Sequence, residues 1–332
     1  MAKTSLAGIA AALRAADSFL IASHPNPDGD AIGSILAAYH LLRALGKTAV
    51  TCVNDDPVPR IYQWLPGADQ IVAATEPIVC PDVAIALDVT RRERLGKAAG
   101  GIKPSTKVIV IDHHLEDASF GDCVYQDAGA SAVGEILVDL FLEAGVPISR
   151  AAAECAYVAI ITDTGGFRFG NTTPHTHGTA ARLLETGLSV PEISCRVFDT
   201  MSAPKLDMLR RLLQAMQRTA QGRIAYSMLT LRDMHEARAR EEDLDGLVNF
   251  TRNIEGVRVG LLFREVDATT TKVSARSNVL GDPPRTLNCA ELLSPFGGGG
   301  HRGAAGAVLD MPLEAARSRV LQHVQPLLEA TP

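Results

Sequence analysis

Apolar positions in the first half of the chain follow two alternating rhythms. Leu6, Ile9, Ala10 and Leu13 share the spacing of one helical face, which predicts a helix over Ser5–Ala16. Ser18–Ser23 then runs apolar at strand length. Ala31–Leu45 predicts a second helix, with Gly46 just beyond its end, where a left-handed residue commonly stops a helix. Thr48–Val53, Val83–Leu87 and Lys107–Ile111 are strand candidates, the last two rich in Val and Ile. Ala130–Ala144 and Arg150–Ile161 read as helices. Strands separated by helical stretches predict βαβ units, a parallel sheet and an α/β fold.

The pattern breaks after Val190 and later restarts. Residues 191–222 hold Pro191, Pro204 and a basic helical run, Lys205–Arg218, and are expected to form a helical linker. Arg223–Leu231, Gly256–Glu265 and Thr270–Ser277 then predict strands. A glycine cluster, Gly297–Gly300, precedes another at Ala304–Leu309. Residues 1–190 and 223–330 thus form two expected domains, the second smaller and also α/β. A chain of 332 residues suits this division, since single cores rarely grow past about 250–300 residues.

Composition narrows the function classes. The chain is 46% apolar and 21% charged, with a net charge of −6. No basic footprint for long duplex nucleic acid is present, although a local pocket can still take a small anion. Cys52, Cys80, Cys123, Cys155, Cys195 and Cys289 form no C-x-x-C pair, which excludes a zinc ribbon and argues against a disulfide scaffold. The first residues lack a long apolar segment, and no run of about 18 apolar residues occurs. A cytoplasmic protein without membrane contact is expected.

The chemistry is marked by where acids and imidazoles fall. Ser18–Ser23 ends in His24, Pro25, Asn26, Pro27, Asp28, Gly29 and Asp30. Val83–Leu87 ends in Asp88, and Lys107–Ile111 in Asp112, His113 and His114. Arg150–Ile161 ends in Thr162, Asp163 and Thr164. In an open parallel sheet the C-terminal strand ends share one edge, where ligands bind. His24, Asp28, Asp30, Asp88, His113 and Asp163 would meet there. Taken alone, an Asp after a strand is commonly a helix cap, a role that would suit Asp30. Four clustered carboxylates, however, repel one another unless cations intervene. Mixed Asp and His donors suit Mn²⁺, Fe²⁺, Co²⁺ or Zn²⁺, and these six suffice for two ions bridged by one Asp. Two such ions, about 3.5–4 Å apart, clamp a phosphoryl group for in-line attack by water.

These segments resemble the four motifs of the DHH phosphoesterase superfamily, in order and in rough spacing. Phe296, Gly297, Gly298, Gly299, Gly300, His301, Arg302 and Gly303, followed by Ala304, Ala305 and Gly306, resemble the DHHA1 signature. The layout resembles the oligoribonuclease (nanoRNase) and pAp-phosphatase branch. The resemblance implies that His24 and Asp28 hold one ion, that Asp30, His113 and Asp163 hold the other, and that Asp88 bridges them. It also implies manganese. His114 would face the substrate and protonate the leaving oxygen, or else support the ligands from outside.

The resemblance further implies a substrate-binding second domain facing the metal domain across a cleft. Four successive glycines let backbone N–H groups approach an anion, or make a flexible turn. Gly298, Gly299, Gly300, His301 and Arg276 are the expected contacts to a nucleotide. Ser131 and Arg168 are further candidates, with a helix cap and a surface ion pair as their plainer roles. Relatives carry a basic residue soon after the equivalent of Arg276; here Arg285 lies further on, past Pro283 and Pro284, and would stand in. Expected substrates are short RNA, linear dinucleotides and 3′-phosphoadenosine 5′-phosphate, with a homodimer common among relatives. The alternatives are a cyclic-di-AMP phosphodiesterase, a RecJ-like exonuclease, an inorganic pyrophosphatase and a catalytically silent nucleotide-binding regulator. Aromatics make up only 5%, with Trp64 the sole tryptophan. That disfavours a long single-strand binder, which stacks successive bases on rings.

Overall fold

The computed structural model describes residues 2–74, 80–278 and 287–329. The chain divides into two compact units, Met1–Thr200 and Met201–Pro332. The stretch expected to be a linker is shared between them.

The first unit contains β1 (Ala2–Lys3), α1 (Leu6–Ala15), β2 (Ser18–Ala22), α2 (Gly29–Ala44), β3 (Ala49–Asn54) and β4 (Ile71–Ala73). It continues with β5 (Val83–Leu87), β6 (Lys107–Asp112), β7 (Cys123–Gln126), α3 (Val133–Glu143), α4 (Arg150–Asp163), α5 (Pro174–Leu184) and α6 (Val190–Ser194). Its sheet has seven strands in the order β1-β7-β6-β5-β2-β3-β4. Every pairing is parallel. The continuous apolar runs follow from burial of both faces. Phe19, Ile21, Ile85, Leu87, Ile109 and Ile111 point into a core shared with the helices. The alternate residues Leu20, Ala22, Ala84, Ala86, Val108 and Val110 pack on the other face against Leu95, Ala98 and Ile102.

β2 and β5 are neighbours, yet the chain leaves β2 toward β3 on one side and β5 toward β6 on the other. The strand order reverses between them, and a crevice opens at their C-terminal ends. Helix α4 is antiparallel to α2 and lies close against it. An added Cβ on Gly33 would sit 2.5 Å from the Cys155 carbonyl, and one on Gly29 would sit 2.4 Å from the Thr162 side chain. A Cβ on Gly134 would meet that of Ala159 at 2.4 Å, so α3 presses equally on α4. Helix α2 ends as its sequence predicts: Gly46 adopts φ 80°, and the Gly46 and Lys47 amides bond back to Arg43 and Leu42.

The second unit holds α7 (Ala203–Gln214), β8 (Gln217–Thr219), β9 (Ile224–Leu229), α8 (Leu231–Ala237), α9 (Val248–Arg252) and β10 (Val259–Asp267). It ends with β11 (Thr270–Ser277), α10 (Cys289–Leu293), β12 (Gly299–His301), β13 (Ala304–Leu309) and α11 (Leu313–Glu329). The mixed sheet runs β12-β13-β11-β10-β9-β8. Only β9 and β10 pair in parallel. The helix expected over Lys205–Arg218 stops at Gln214. Ala220 and Gln221, both left-handed, turn the chain back, and Gln217–Thr219 pairs with β9 instead. Among the described residues no helix is long and apolar enough to cross a membrane.

The contact at Gly33 sets the spacing of the two helices that carry Asp30 and Asp163. Gly33→Ala is expected to destabilise the first unit by about 1–3 kcal/mol, the usual cost of overpacking, measured as a lowered denaturant midpoint at unchanged m-value.

Candidate metal centre

Four segments deliver polar side chains to the crevice beyond β2, β5 and β6. His24 and Asp28 stand on the loop leaving β2. Asp28, not Asp30, caps α2, accepting from the Ala31 amide at 3.0 Å. The helix therefore starts earlier than its sequence suggests, and Asp30 falls inside its first turn, 1% exposed. Asp88 follows β5 with a left-handed backbone, φ 58°. His113 and His114 follow β6. Asp163 ends α4, brought alongside by the glycine contacts of α2.

His113 Nε2 lies 3.7 Å from Asp30 Oδ2, 3.6 Å from Asp88 Oδ1 and 3.8 Å from Asp163 Oδ2. His24 Nε2 lies 3.3 Å from Asp88 Oδ2 and 4.0 Å from Asp28 Oδ1. The two Asp88 oxygens thus face different histidines. Asp88 belongs to two groups of possible ligands, one with His24 and Asp28 and one with His113 and His114. The second group brings in His114 beside the expected ligands, because its Nδ1 is 3.4 Å from Asp88 Oδ1. Asp112 holds it more closely: the His114 amide and Nδ1 donate to Asp112 Oδ1 at 2.5 and 3.0 Å.

The electrostatics are those of a cation site. Burial, then the charges of Asp88, Asp163 and Asp28, push the Asp30 carboxyl well above the ordinary range, against the Val133 amide. Burial and the charges of Asp28 and Asp88 raise Asp163 to about 6, although His113 opposes them. Burial disfavours the His24 imidazolium, but the Asp88 hydrogen bond and the charges of Asp28 and Asp88 prevail, raising it to about 9. Burial also opposes the Asp88 carboxylate, and His24, His114 and His113 outweigh it, holding Asp88 below its usual value. Asp112 raises His114 despite burial. Without metal, protons take the cation's place.

Two observations make the donor set fit divalent cations. Asp88 Oδ1 is buried and has no hydrogen-bond partner among the described residues. His24 Nδ1 donates to the Pro25 carbonyl at 2.9 Å and His113 Nδ1 to that of Ala130 at 3.4 Å. Each Nε2 is thereby the nitrogen aimed at the acids, and once its proton leaves it presents the lone pair that a metal-bound histidine needs.

The remaining sequence candidates are placed unequally. Ser131 has no exposed surface; its hydroxyl donates to Glu135, and its amide donates to the same carboxylate at 2.9 Å. The structure does not offer it to a ligand, and helix α3 is capped at Ala132 without it. Arg168 is exposed on the turn after α4, its Nε donating to the Gly165 carbonyl. Arg276 is partly buried on β11 and donates to the Ala275 carbonyl at 3.0 Å. In backbone register it pairs with Ala304, which pairs with His301, so both candidates lie in one row across the sheet. The glycine run does not form a loose loop. Gly299 and Gly300 enter β12, and a Cβ on Gly298 or Gly300 would strike the Gly306 or Ala304 carbonyl at 2.7 or 2.5 Å. Gly299 alone of the three faces open space. Arg285 lies outside the described residues.

One residue at the centre carries no motif. Asn171 Nδ2 donates to Asp163 Oδ2 at 3.2 Å, to the Asp163 carbonyl at 3.2 Å and to the Ser131 carbonyl at 2.9 Å. Only an amide eight positions beyond an acid, in a Gly- and Thr-rich stretch, marks it in the sequence.

Residues 18–160 match the DHH family, N-terminal domain, and residues 221–330 the DHHA1 domain. The chain is 34% identical over 306 residues to the bifunctional oligoribonuclease and PAP phosphatase NrnA of Thermus thermophilus, spanning 92% of this chain and 88% of that one. Against the protein of that name from Bacillus subtilis it is 27% identical over 297 residues, 88% and 89% of the two chains. An exopolyphosphatase-related protein from Bacteroides fragilis has a similar solved structure, with a TM-score of 0.86 at 28% identity over 98% of this chain and 97% of that one. With both domains matched in order and a relative this similar along almost the whole length, the chain belongs to the DHH phosphoesterase superfamily, in the form that carries a C-terminal DHHA1 domain.

Proposed function

We propose that this chain is a two-metal phosphoesterase that hydrolyses short oligoribonucleotides, linear dinucleotides and 3′-phosphoadenosine 5′-phosphate to mononucleotides. The observation that carries the reading is the division of Asp88: Oδ2 faces His24 at 3.3 Å and Oδ1 faces His113 at 3.6 Å. The substrate class is supported by the relatives named bifunctional oligoribonuclease and PAP phosphatase.

In this reading His24, Asp28 and Asp88 hold one ion, and Asp30, His113, Asp163 and Asp88 hold a second, with Mn²⁺ suited to the mixed donors. When bound, such ions supply Lewis acidity toward a phosphoryl oxygen and toward the attacking water. The chain's own residues do the rest. Asp112 fixes the His114 ring through Nδ1 and favours its protonated form, which suits it to give a proton to the departing oxygen. Arg276 and His301 are the second unit's contacts to nucleotide, where a charge-assisted bond to phosphate is stronger than a neutral one. The short β12–β13 hairpin holds the Gly299 backbone accessible beside them.

The first test is hydrolysis of pApA, a short RNA, 3′-phosphoadenosine 5′-phosphate, cyclic-di-AMP and pyrophosphate, with and without Mn²⁺. Manganese-dependent release of AMP from the linear substrates is expected; cleavage of pyrophosphate alone, or of nothing, overturns the substrate class. Asp88→Asn keeps a side chain that tolerates the left-handed backbone. It is expected to lower turnover by more than the ~10–100-fold typical of losing an outer partner of a ligand, and near-normal activity would rule out the bridge. Arg276→Ala is expected to raise KM for nucleotides about tenfold or more, the worth of a charged hydrogen bond, while sparing an aryl phosphodiester. Equal losses on both would exclude Arg276 as a nucleotide contact.

Metal affinity should depend on pH in a defined direction. A cation must displace the proton that His24 holds up to about 9 and, lower down, the one that Asp163 holds up to about 6. Apparent Mn²⁺ affinity is therefore expected to rise about tenfold per pH unit between these values and more steeply below them. Calorimetry in buffers of different ionisation enthalpy would detect the released proton, and binding without proton release would contradict the assignment.

A further inference from the structure

Three of the six candidate ligands are held by a single short segment, residues 130–134. The Ala130 carbonyl accepts from His113 Nδ1 at 3.4 Å. The Ser131 carbonyl accepts from Asn171, whose same nitrogen donates to Asp163. The Val133 and Gly134 amides, at the start of α3, donate to Asp30 Oδ2 and Oδ1 at 2.8 and 3.1 Å. A shift of this segment would move His113, Asp163 and Asp30 together.

Something must hold the segment in turn. Helix α3 has no side-chain cap at Ala132. Instead Glu135, in its first turn and 1% exposed, reaches back. Its Oε2 accepts from the Ser131 amide at 2.9 Å, from the Ser131 hydroxyl and from Thr176 Oγ1 at 3.0 Å. Thr176 is buried in the first turn of α5, inside a reciprocal cap with Thr173. One carboxylate oxygen thus ties the segment to α3 and to α5. Its other oxygen is buried without a hydrogen-bond partner among the described residues, 3.7 Å from His175 Nε2. A buried carboxylate is costly unless its hydrogen bonds are satisfied, and a Gln at this site would form a similar triple contact without the charge. The loop needs an acceptor that is fixed in place.

We propose that Glu135 is a positioning residue of the metal centre, holding His113, Asp163 and Asp30 in register through residues 130–134 while touching neither ion nor substrate. This rests on reading the Asp and His cluster as the metal site. It also gives the buried Ser131 a role, as the strut through which Glu135 acts.

The test compares wild type with Glu135→Ala, Glu135→Gln and Thr176→Val, the last removing one bond should Glu135→Ala fail to fold. Mn²⁺ affinity is read by competition with a chromophoric chelator, beside the melting temperature and the kcat and KM for pApA. Positioning predicts metal affinity about 10–100-fold weaker in Glu135→Ala, as for other outer partners of ligands, a smaller loss in Thr176→Val, and recovery in Glu135→Gln. It also predicts a fall in kcat with KM unchanged. A lowered melting temperature with wild-type metal affinity and wild-type kcat at saturating metal would overturn it, leaving Glu135 as structural only. If wild type binds no Mn²⁺, the metal reading itself falls and the inference with it; if it binds Mn²⁺ but leaves every nucleotide intact, the substrate class falls while the affinity comparison still decides the role of Glu135.

Discussion

The first unit is organised around one electrostatic conflict. Asp28, Asp30, Asp88 and Asp163 are gathered beyond the ends of β2 and β5, close enough for the charges of Asp28 and Asp88 to help raise the proton affinity of Asp30 and Asp163. Left in water they would disperse. Here packing, amide donors and imidazoles hold them together. His24 carries a proton against its burial, and helix α3 turns two amides toward Asp30. The site stores an unmet demand for positive charge, and its chemistry follows from meeting it.

The fold answers that demand by geometry. A parallel sheet buried on both faces fixes where its strand ends emerge, and the reversal of order between β2 and β5 makes the crevice. The helices add what the strands do not supply. Gly29 and Gly33 let α4 approach α2 until Asp163 stands beside His113, 3.8 Å from its Nε2. In the second unit small residues act similarly: Ala304 stands between His301 and Arg276 in the cross-strand row.

Legibility in the sequence tracked how local the cause was. Val83–Leu87 and Lys107–Ile111 were readable because every residue after Lys107 in the second run, and all of the first, is apolar and buried on one face or the other. β4 and β7 were not, since they are short and lie toward the sheet's edges: β4 is half-buried to exposed throughout, and β7 buries only Val124. The acids were visible because each closes a predicted strand or helix. The place of Asp30 inside the helix was not, because its amide partners at Val133 and Gly134 lie 103 and 104 residues away. Asn171 and Glu135 were silent for the same reason: their roles exist only once α3, α4 and α5 have met. The glycine run misled in one respect, suggesting a loop where close carbonyls of β13 demand a strand without side chains.

Asp88 combines two requirements that seldom coincide. Its backbone sits in the left-handed region, φ 58°, which Gly, Asn and Asp tolerate far better than other residues. Its carboxylate must also face two histidines at once. Among the residues the backbone accepts easily, only Asp brings a charged pair of oxygens. Neighbouring substitutions in that small set therefore preserve the chain's shape while removing its chemistry. A chain that keeps this fold but not the paired contact to His24 and His113 is therefore a single substitution away.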